Sequence, residues 1–309
     1  MGTRKSRADF ILLLVAAIWG FAFVAQIKGM DHMGPFFFNA SRFALGFLSL
    51  LPVYFYLEKQ QPSKRVFDQK LLVIWGPCLG VVLFFASALQ QVGLQYTTAG
   101  NSGFITGLYI IMVPVLGITL GQATRMNTWL GGLVALVGLY FLTIGDDFSL
   151  NKGDLITLGS ALMYAVQILM VSWLSRRVHI LRLSLVQFMV CAIISFGVAL
   201  MLETISLDAL QKSLIPLLYT GILSTGVAFT IQIIGQRDAI ASHAAIILSL
   251  EAVFAVIGGW LVLDEQLGIK GLIGCGLMLA GMLISQLKRS KEKSSEAEKS
   301  SEALTTSTA

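Results

Sequence analysis

The 309-residue chain predicts an all-α integral membrane fold, with ten transmembrane helices in two inverted-topology five-helix repeats. Three observations lead there. The composition is 56% hydrophobic and only 13% charged, against about 25% charged in soluble domains, and the mean hydropathy is +0.79. The apolar residues gather into ten runs of the roughly 20 residues that cross a hydrocarbon core. The two halves also match each other in sequence at a nearly constant offset. Backbone in lipid must satisfy its own hydrogen bonds, which makes such runs helices; a lipid-facing barrel would show short alternating strands instead.

The first span, 9–27, follows the basic stretch MGTRKSR and superficially resembles a signal peptide. Nine further spans follow it, and no small-residue cleavage site precedes a soluble region, so it is expected to be retained. The second, 35–57, carries Asn39 and Arg42 on one helical stripe with Gly46 and Ser49. The third, 71–95, ends near Gln90, and only Tyr96 and Thr97 separate it from the fourth, 98–121. The fourth holds Asn101, Ser102, Thr106, Tyr109 and Pro114, the last a site for a kink. The fifth, 126–144, contains the small-residue run GGLVALVG. Tyr164 and Gln167 share a face of the sixth, 153–174, and Gln187 lies in the seventh, 181–202. The eighth, 213–236, carries Gln232, and the ninth, 239–263, carries His243 and Glu251. The tenth, 268–287, repeats the small-residue pattern as GLIGCGLMLAG. Such faces allow close helix contact, either within the monomer or across a homodimer.

Residues 10–58 match 155–203 at a shift of 145, and 90–139 match 232–281 at a shift of 142. Identities include Phe43/Phe188, Glu58/Glu203, Gln90/Gln232, Gly93/Gly235 and Gly117/Gly259. Five spans per repeat is an odd number, so the second copy enters the membrane upside down, a recurring plan in secondary transporters. The domain division that follows is 8–145 for the first repeat and 153–287 for the second. Residues 288–309 form a polar tail rich in Ser and Glu, without aromatics, and expected to be disordered.

The net charge of +5 and pI near 9.1 point to topology rather than to nucleic acid. Of the 22 Lys and Arg, only Lys28, Lys152, Lys212 and Lys270 fall on one face, and Arg42 lies within a span. The rest share the face of the N-terminal residues and the tail, which predicts that both termini are cytoplasmic. Cys78, Cys191 and Cys275 all fall within spans and suggest neither a disulfide framework nor a zinc site.

The stretches AAIWGFAFV (16–24), SRFALGFLSL (41–50) and SLEAVFAVIGGWLVLDEQLGIKGLIGCGLMLAGMLI (249–284), with GLYIIMVPVLGITLG (107–121) as first-half counterpart, resemble the drug/metabolite transporter superfamily. The likeness is to its bacterial ten-helix permeases with two EamA-type repeats, and it covers about residues 8–287. It implies transport of a small metabolite across the bacterial inner membrane, without naming one: relatives handle amino acids, amphipathic drugs and other solutes. The family often has proline directly after the ninth-span glutamate. Ala252 stands there in this chain, so a proline break at that point is not expected.

The candidate functional residues are the polar and aromatic groups inside the spans. An ionised group in mid-bilayer costs about 2.5–3.5 kcal/mol on insertion scales, so Glu251 should face a cavity or a partner. Its roles remain three: structural pairing, proton or cation coupling, and contact with substrate. Arg42 either anchors helices or steers substrate. Trp19, Tyr109 and Tyr164 would form aromatic walls, while Asn39, Gln90, Asn101, Gln167, Gln232 and His243 would orient polar groups. Several form matched pairs across the repeat: Trp19/Tyr164, Arg42/Gln187, Asn101/His243 and Tyr109/Glu251.

The reading is a secondary transporter working by alternating access on a small organic solute, an amino acid or an amphipathic amine, with proton coupling through Glu251 as an open element. The alternatives are a channel or facilitator and, third, an integral membrane enzyme. No P-loop occurs in the chain to couple ATP, no cofactor is called for, and the scattered histidines and cysteines make no catalytic or metal cluster.

Overall fold

The computed structural model describes residues 2–60, 68–121, 124–143, 152–263 and 269–286. The first three spans are continuous helices: α1 (Gly2–Met30), α2 (Pro35–Gln60) and α3 (Gln69–Gly93). The fourth is split into α4 (Ala99–Gly107) and α5 (Tyr109–Thr119), and the fifth is α6 (Met126–Thr143). The second half opens with α7 (Lys152–Leu174) and α8 (Ile180–Leu202), followed by the short connecting helix α9 (Leu207–Lys212). The eighth span runs from α10 (Leu214–Leu218) through a π-helical stretch, Tyr219–Phe229, into α11 (Thr230–Asp238). The ninth is split into α12 (Ala241–Leu248) and α13 (Glu251–Leu263), and α14 (Ile269–Gln286) is the tenth. Among the described residues, eight spans are long and apolar enough to cross a membrane, and the fifth and tenth contribute the shorter apolar helices Met126–Phe141 and Leu272–Ser285. The polar tail, and Asp264 and Glu265 of the loop after α13, lie outside the described residues.

Hydrogen bonds between helix ends define two faces. On one, the Asp68 amide donates to the Arg177 carbonyl at 3.2 Å, Arg182 pairs with Glu58 at 2.9 Å, and His243 joins Asp9 to Ser285. On the other, Phe36 and Phe37 donate to Glu203, Thr97 donates to Asp154 at 2.7 Å, and Ser213 donates to the Gly29 carbonyl at 2.8 Å. Successive spans therefore alternate in direction. The start of α1 and the end of α14 meet at one histidine, so both lie on the same face.

The neighbour relations keep their form when the halves are exchanged. The third span packs on the sixth as the eighth packs on the first, and the third on the seventh as the eighth on the second. The first packs on the ninth as the sixth packs on the fourth. Three span contacts map onto themselves: the second with the seventh, α2 on α8; the fifth with the tenth, α6 on α14; and the fourth with the ninth, where α5 on α12 is the image of α4 on α13. A pseudo-two-fold axis thus runs through the middle of the bundle. The small residues of the fifth and tenth spans serve this symmetry, since Gly131 and Gly138 of α6 lie against Gly281 and Gly274 of α14 with no space for a Cβ.

The two interrupted spans break at matching places. Leu108 interrupts the fourth, and Ser249 with Leu250 interrupts the ninth, one offset of 142 apart at Leu108 and Leu250. At each break the backbone tightens to i→i−3 bonds, from Leu108 to Ile105 and from Leu250 to Ile247, both at 3.2 Å. Ala252 brings no proline break after Glu251, yet the ninth span is interrupted just before that residue. Proline is one cause of a helix break, but a side chain inserted into the ladder is another, and the Ser249 hydroxyl donates to the Ile246 carbonyl at 2.9 Å.

Candidate functional site

Residues directly after the two breaks meet on the pseudo-axis. Tyr109, the first residue of α5, donates its hydroxyl to Glu251 Oε1 at 2.9 Å, and Glu251 is the first residue of α13. These are matched positions of the repeat, so the contact is between one site and its own image. Both side chains are buried, Glu251 at 3% exposure. Gly20 lets α1 lie close over α13 there; a Cβ at that position would collide with Phe254 and the Glu251 carbonyl.

That close approach brings one stripe of α1, Trp19, Ala22, Phe23 and Gln26, to the same place as Glu251. With Arg42, Gln90, Tyr164, Ser224 and Phe229 they line a cavity at the centre of the bundle. Its volume is about 30 Å³, room for one or two waters and too little for an organic solute. Any solute binding there therefore requires the helices to separate.

The walls are held by ordinary contacts. Trp19 stacks at a tilt on Phe229, with ring centroids 4.6 Å apart, and its indole donates to the Ser224 carbonyl at 3.2 Å. That carbonyl belongs to the π-helical stretch. A π-turn shifts the backbone bonding ladder by one residue and is common at functional positions; within it the Thr225 side-chain hydroxyl also donates to the Thr220 carbonyl, at 2.7 Å. The Tyr164 hydroxyl donates to Gln90 Oε1 at 3.4 Å, and Gln90 Nε2 donates to Thr106 at 3.3 Å.

Arg42 is 2% exposed and is aimed from behind. Its Nε donates to Asn39 Oδ1 at 3.0 Å, and Asn39 in turn donates to Ser87 at 3.0 Å and Ser195 at 2.9 Å. The guanidinium also lies over the Phe43 ring at 4.9 Å. Its Nη2 has no hydrogen-bond partner, nor has Gln26 Oε1. Among the described residues no ion pair joins Arg42 to Glu251, although both line the same cavity.

Of the residues nominated from sequence, the cavity wall brings together Trp19, Arg42, Gln90, Tyr164 and Glu251, with Tyr109 behind the carboxylate. Four others lie away from this cavity. Asn39 orients Arg42 and does not line the cavity. Gln167 and Gln232 spend their amides on each other, at 3.3 and 3.5 Å, between α7 and α11. His243 lies at the end of the bundle, with Nε2 3.0 Å from Asp9 Oδ1 and Nδ1 3.2 Å from Ser285 Oγ. Each is buried because a polar partner on another helix satisfies it, which from sequence looks the same as facing a cavity. The side chain of Asn101 lies outside the described residues. Sequence reasoning missed Gln26, Phe23, Ser224 and Phe229. Gln26 had a signal, since it lies seven residues from Trp19 on one helical face; the other three look like ordinary span residues.

The comparisons with known proteins agree with this architecture. The model of the EamA-like transporter family matches residues 6–144 and again 151–286. An uncharacterized transporter of Archaeoglobus fulgidus is 33% identical over 288 residues, covering 93% of this chain and 88% of the relative. The uncharacterized transporter YoaV of Bacillus subtilis is 23% identical, covering 91% and 97%. A WAT1-related chloroplastic protein of Arabidopsis thaliana is 24% identical, covering 89% and 68%. A solved crystal structure superimposes with a TM-score of 0.74 at 16% identity, over 91% of this chain and 96% of that one, and shares the fold. Two family matches in tandem, an all-helical bundle of ten spans and relatives named as transporters lead to one conclusion: the chain belongs to the EamA-like transporter family and is a multi-pass membrane transporter of the drug/metabolite kind.

Proposed function

We propose that the protein is a secondary transporter that carries a small zwitterionic solute of the amino-acid type across the bacterial inner membrane by alternating access. One observation carries the reading: a buried guanidinium and a buried carboxylate line one central cavity without pairing to each other. An isolated buried charge is expensive, and a solute that offers a carboxylate to Arg42 and an ammonium group to Glu251 would neutralise both at once. Trp19, Phe23, Tyr164 and Phe229 supply apolar and aromatic walls suited to a hydrocarbon or aromatic side chain. The repeat symmetry supports alternating access, because each half can adopt the other's conformation. The basic excess supports a cytoplasmic placement for the face carrying Arg7, Arg176 and Arg237, and hence for both termini.

The test is counterflow in proteoliposomes with a panel of amino acids, their decarboxylated amines and their deaminated acids. Exchange of the zwitterions and failure of both truncated classes supports the reading. Arg42→Gln should shift preference toward the amines. Uptake that neither saturates nor shows trans-stimulation would instead mark a channel. Glu251 is also the candidate for proton coupling: Glu251→Gln that keeps full uptake and an unchanged pH dependence refutes that part.

A further inference from the structure

A second cavity, about 610 Å³, opens on the face where the described chain begins and ends. It lies between the start of α1 and the ends of α7 and α11, and shares no residue with the central cavity. Arg7, Arg176 and Arg237 line it, with Asp238 as the one opposing charge. Asp238 lies 3.9 Å from Arg237, a loose contact between half-exposed groups that leaves the cleft cationic. Arg176 also holds the local backbone, since its Nε donates to the Arg237 carbonyl at 3.0 Å and its Nη2 to the Ala239 carbonyl at 3.5 Å. Those carbonyls end α11, and capping them removes the negative helix end that would otherwise repel an anion. Ile11 and Ile234 lie one helical turn deeper than Arg7 and Arg237, about 5 Å at 1.5 Å per residue. The cleft thus has a cationic rim above an aliphatic floor.

We propose that this cleft is a phosphate-binding site that seats the headgroup of an anionic phospholipid of the leaflet on that face. The rim matches a phosphodiester, which arginine binds through paired N–H donors. The floor matches the glycerol and first acyl carbons and has no use for a free inorganic ion. Basic pockets between spans recognise anionic headgroups on this physical basis. The site is independent of what the central cavity carries.

The full-length protein in neutral detergent is titrated with phosphatidylglycerol, phosphatidylcholine or inorganic phosphate, and read by thermal unfolding and by native mass spectrometry. Phosphatidylglycerol should raise the apparent Tm by roughly 3 °C or more over phosphatidylcholine through mass action, and at least one such lipid should remain bound. Arg7→Glu should abolish that preference, Arg7→Lys should keep most of it, and Lys28→Gln, on the opposite face, should leave it unchanged. Arg7 makes no hydrogen bond or ion pair among the described residues, so its replacement leaves the fold intact. An undiminished preference in Arg7→Glu overturns the assignment. Full stabilisation by millimolar inorganic phosphate overturns the lipid and leaves a free-anion site.

Discussion

A carboxylate in the middle of a bilayer survives here because a tyrosine hydroxyl from the matched position donates to it. Removing one partner of a buried hydrogen bond costs about 1–3 kcal/mol, and more where a charge is left behind. Tyr109→Phe should therefore lower thermal stability by that order and cut counterflow at least about tenfold, whereas Tyr219→Phe, whose hydroxyl serves only the Ile18 carbonyl at 2.9 Å, should affect stability alone. Asn39 acts at one remove. Asn39→Ala should raise KM for a carboxylate-bearing solute more than it lowers kcat, because Arg42 stays buried but loses its aim. Outside the spans, His179 precedes α8 beside Tyr54, and burial, followed by the charge of Arg182, holds its pKa below the ordinary 6.5, against the pull of Glu58. A histidine that resists protonation in the folded state leaves stability intact above pH 6.5 and erodes it as pH falls through the depressed value. A plot of Tm against pH should show that decline, and His179→Gln should flatten it. From sequence, Glu251 and Arg42 stood out as charges in oil. That Asn39 aims one and Tyr109 holds the other was not legible, because both contacts join residues far apart in the chain or reach back along a helix whose facing direction is set by packing.

Helices α2 and α8 cross as a self-matched pair, and their ends are secured differently on the two faces. On one, Glu203 accepts from the Phe36 and Phe37 amides at 2.8 and 2.7 Å, so a carboxylate from the end of α8 caps the start of α2. Its repeat partner, Glu58, meets the Arg182 guanidinium instead, at 2.9 Å and one-third exposed, with Tyr54 accepting a second bond at 3.1 Å. The capped end combines hydrogen bonding with the positive helix start, while a solvent-exposed ion pair contributes about 0.2–1 kcal/mol. Glu203→Ala should accordingly destabilise the protein by about 0.5–2 kcal/mol, the usual value of a lost cap, and Glu58→Ala by less; chemical unfolding of both variants compares them directly. Gly281→Val should cost about 1–3 kcal/mol through overpacking against α6. The ten spans and their small-residue faces were readable from hydropathy and composition. The break before Glu251 and the π-helical stretch at Tyr219–Phe229 were not, since each exchanges one backbone bonding pattern for another without a proline at the site.

Across the whole molecule, exchange of the two halves leaves the neighbour relations of the spans unchanged in form, and this was foreshadowed by the constant offsets of 145 and 142. The central cavity lies where that symmetry places it, but five of its ten lining residues were not nominated from sequence, because which polar groups are satisfied by neighbouring helices is a property of the assembled bundle. If the halves exchange conformations during turnover by parting α2 from α8 at one face and then at the other, tying these helices together at either face must stop it. In a background with Cys78, Cys191 and Cys275 replaced by serine, cross-linking Phe36→Cys to Glu203→Cys should block counterflow, and so should Tyr54→Cys to Arg182→Cys on the other face. Free exchange with either link formed defeats alternating access. The hydrogen bond between Tyr109 and Glu251 joins a position to its own image, so the carboxylate lies almost on the pivot. A charge on the pivot is not displaced along the electric field when the bundle rocks. Moving one elementary charge through 100 mV is worth about 2.3 kcal/mol, and Glu251 escapes that work. Pre-steady-state charge movement recorded without solute should then be the same in Glu251→Gln as in the native protein.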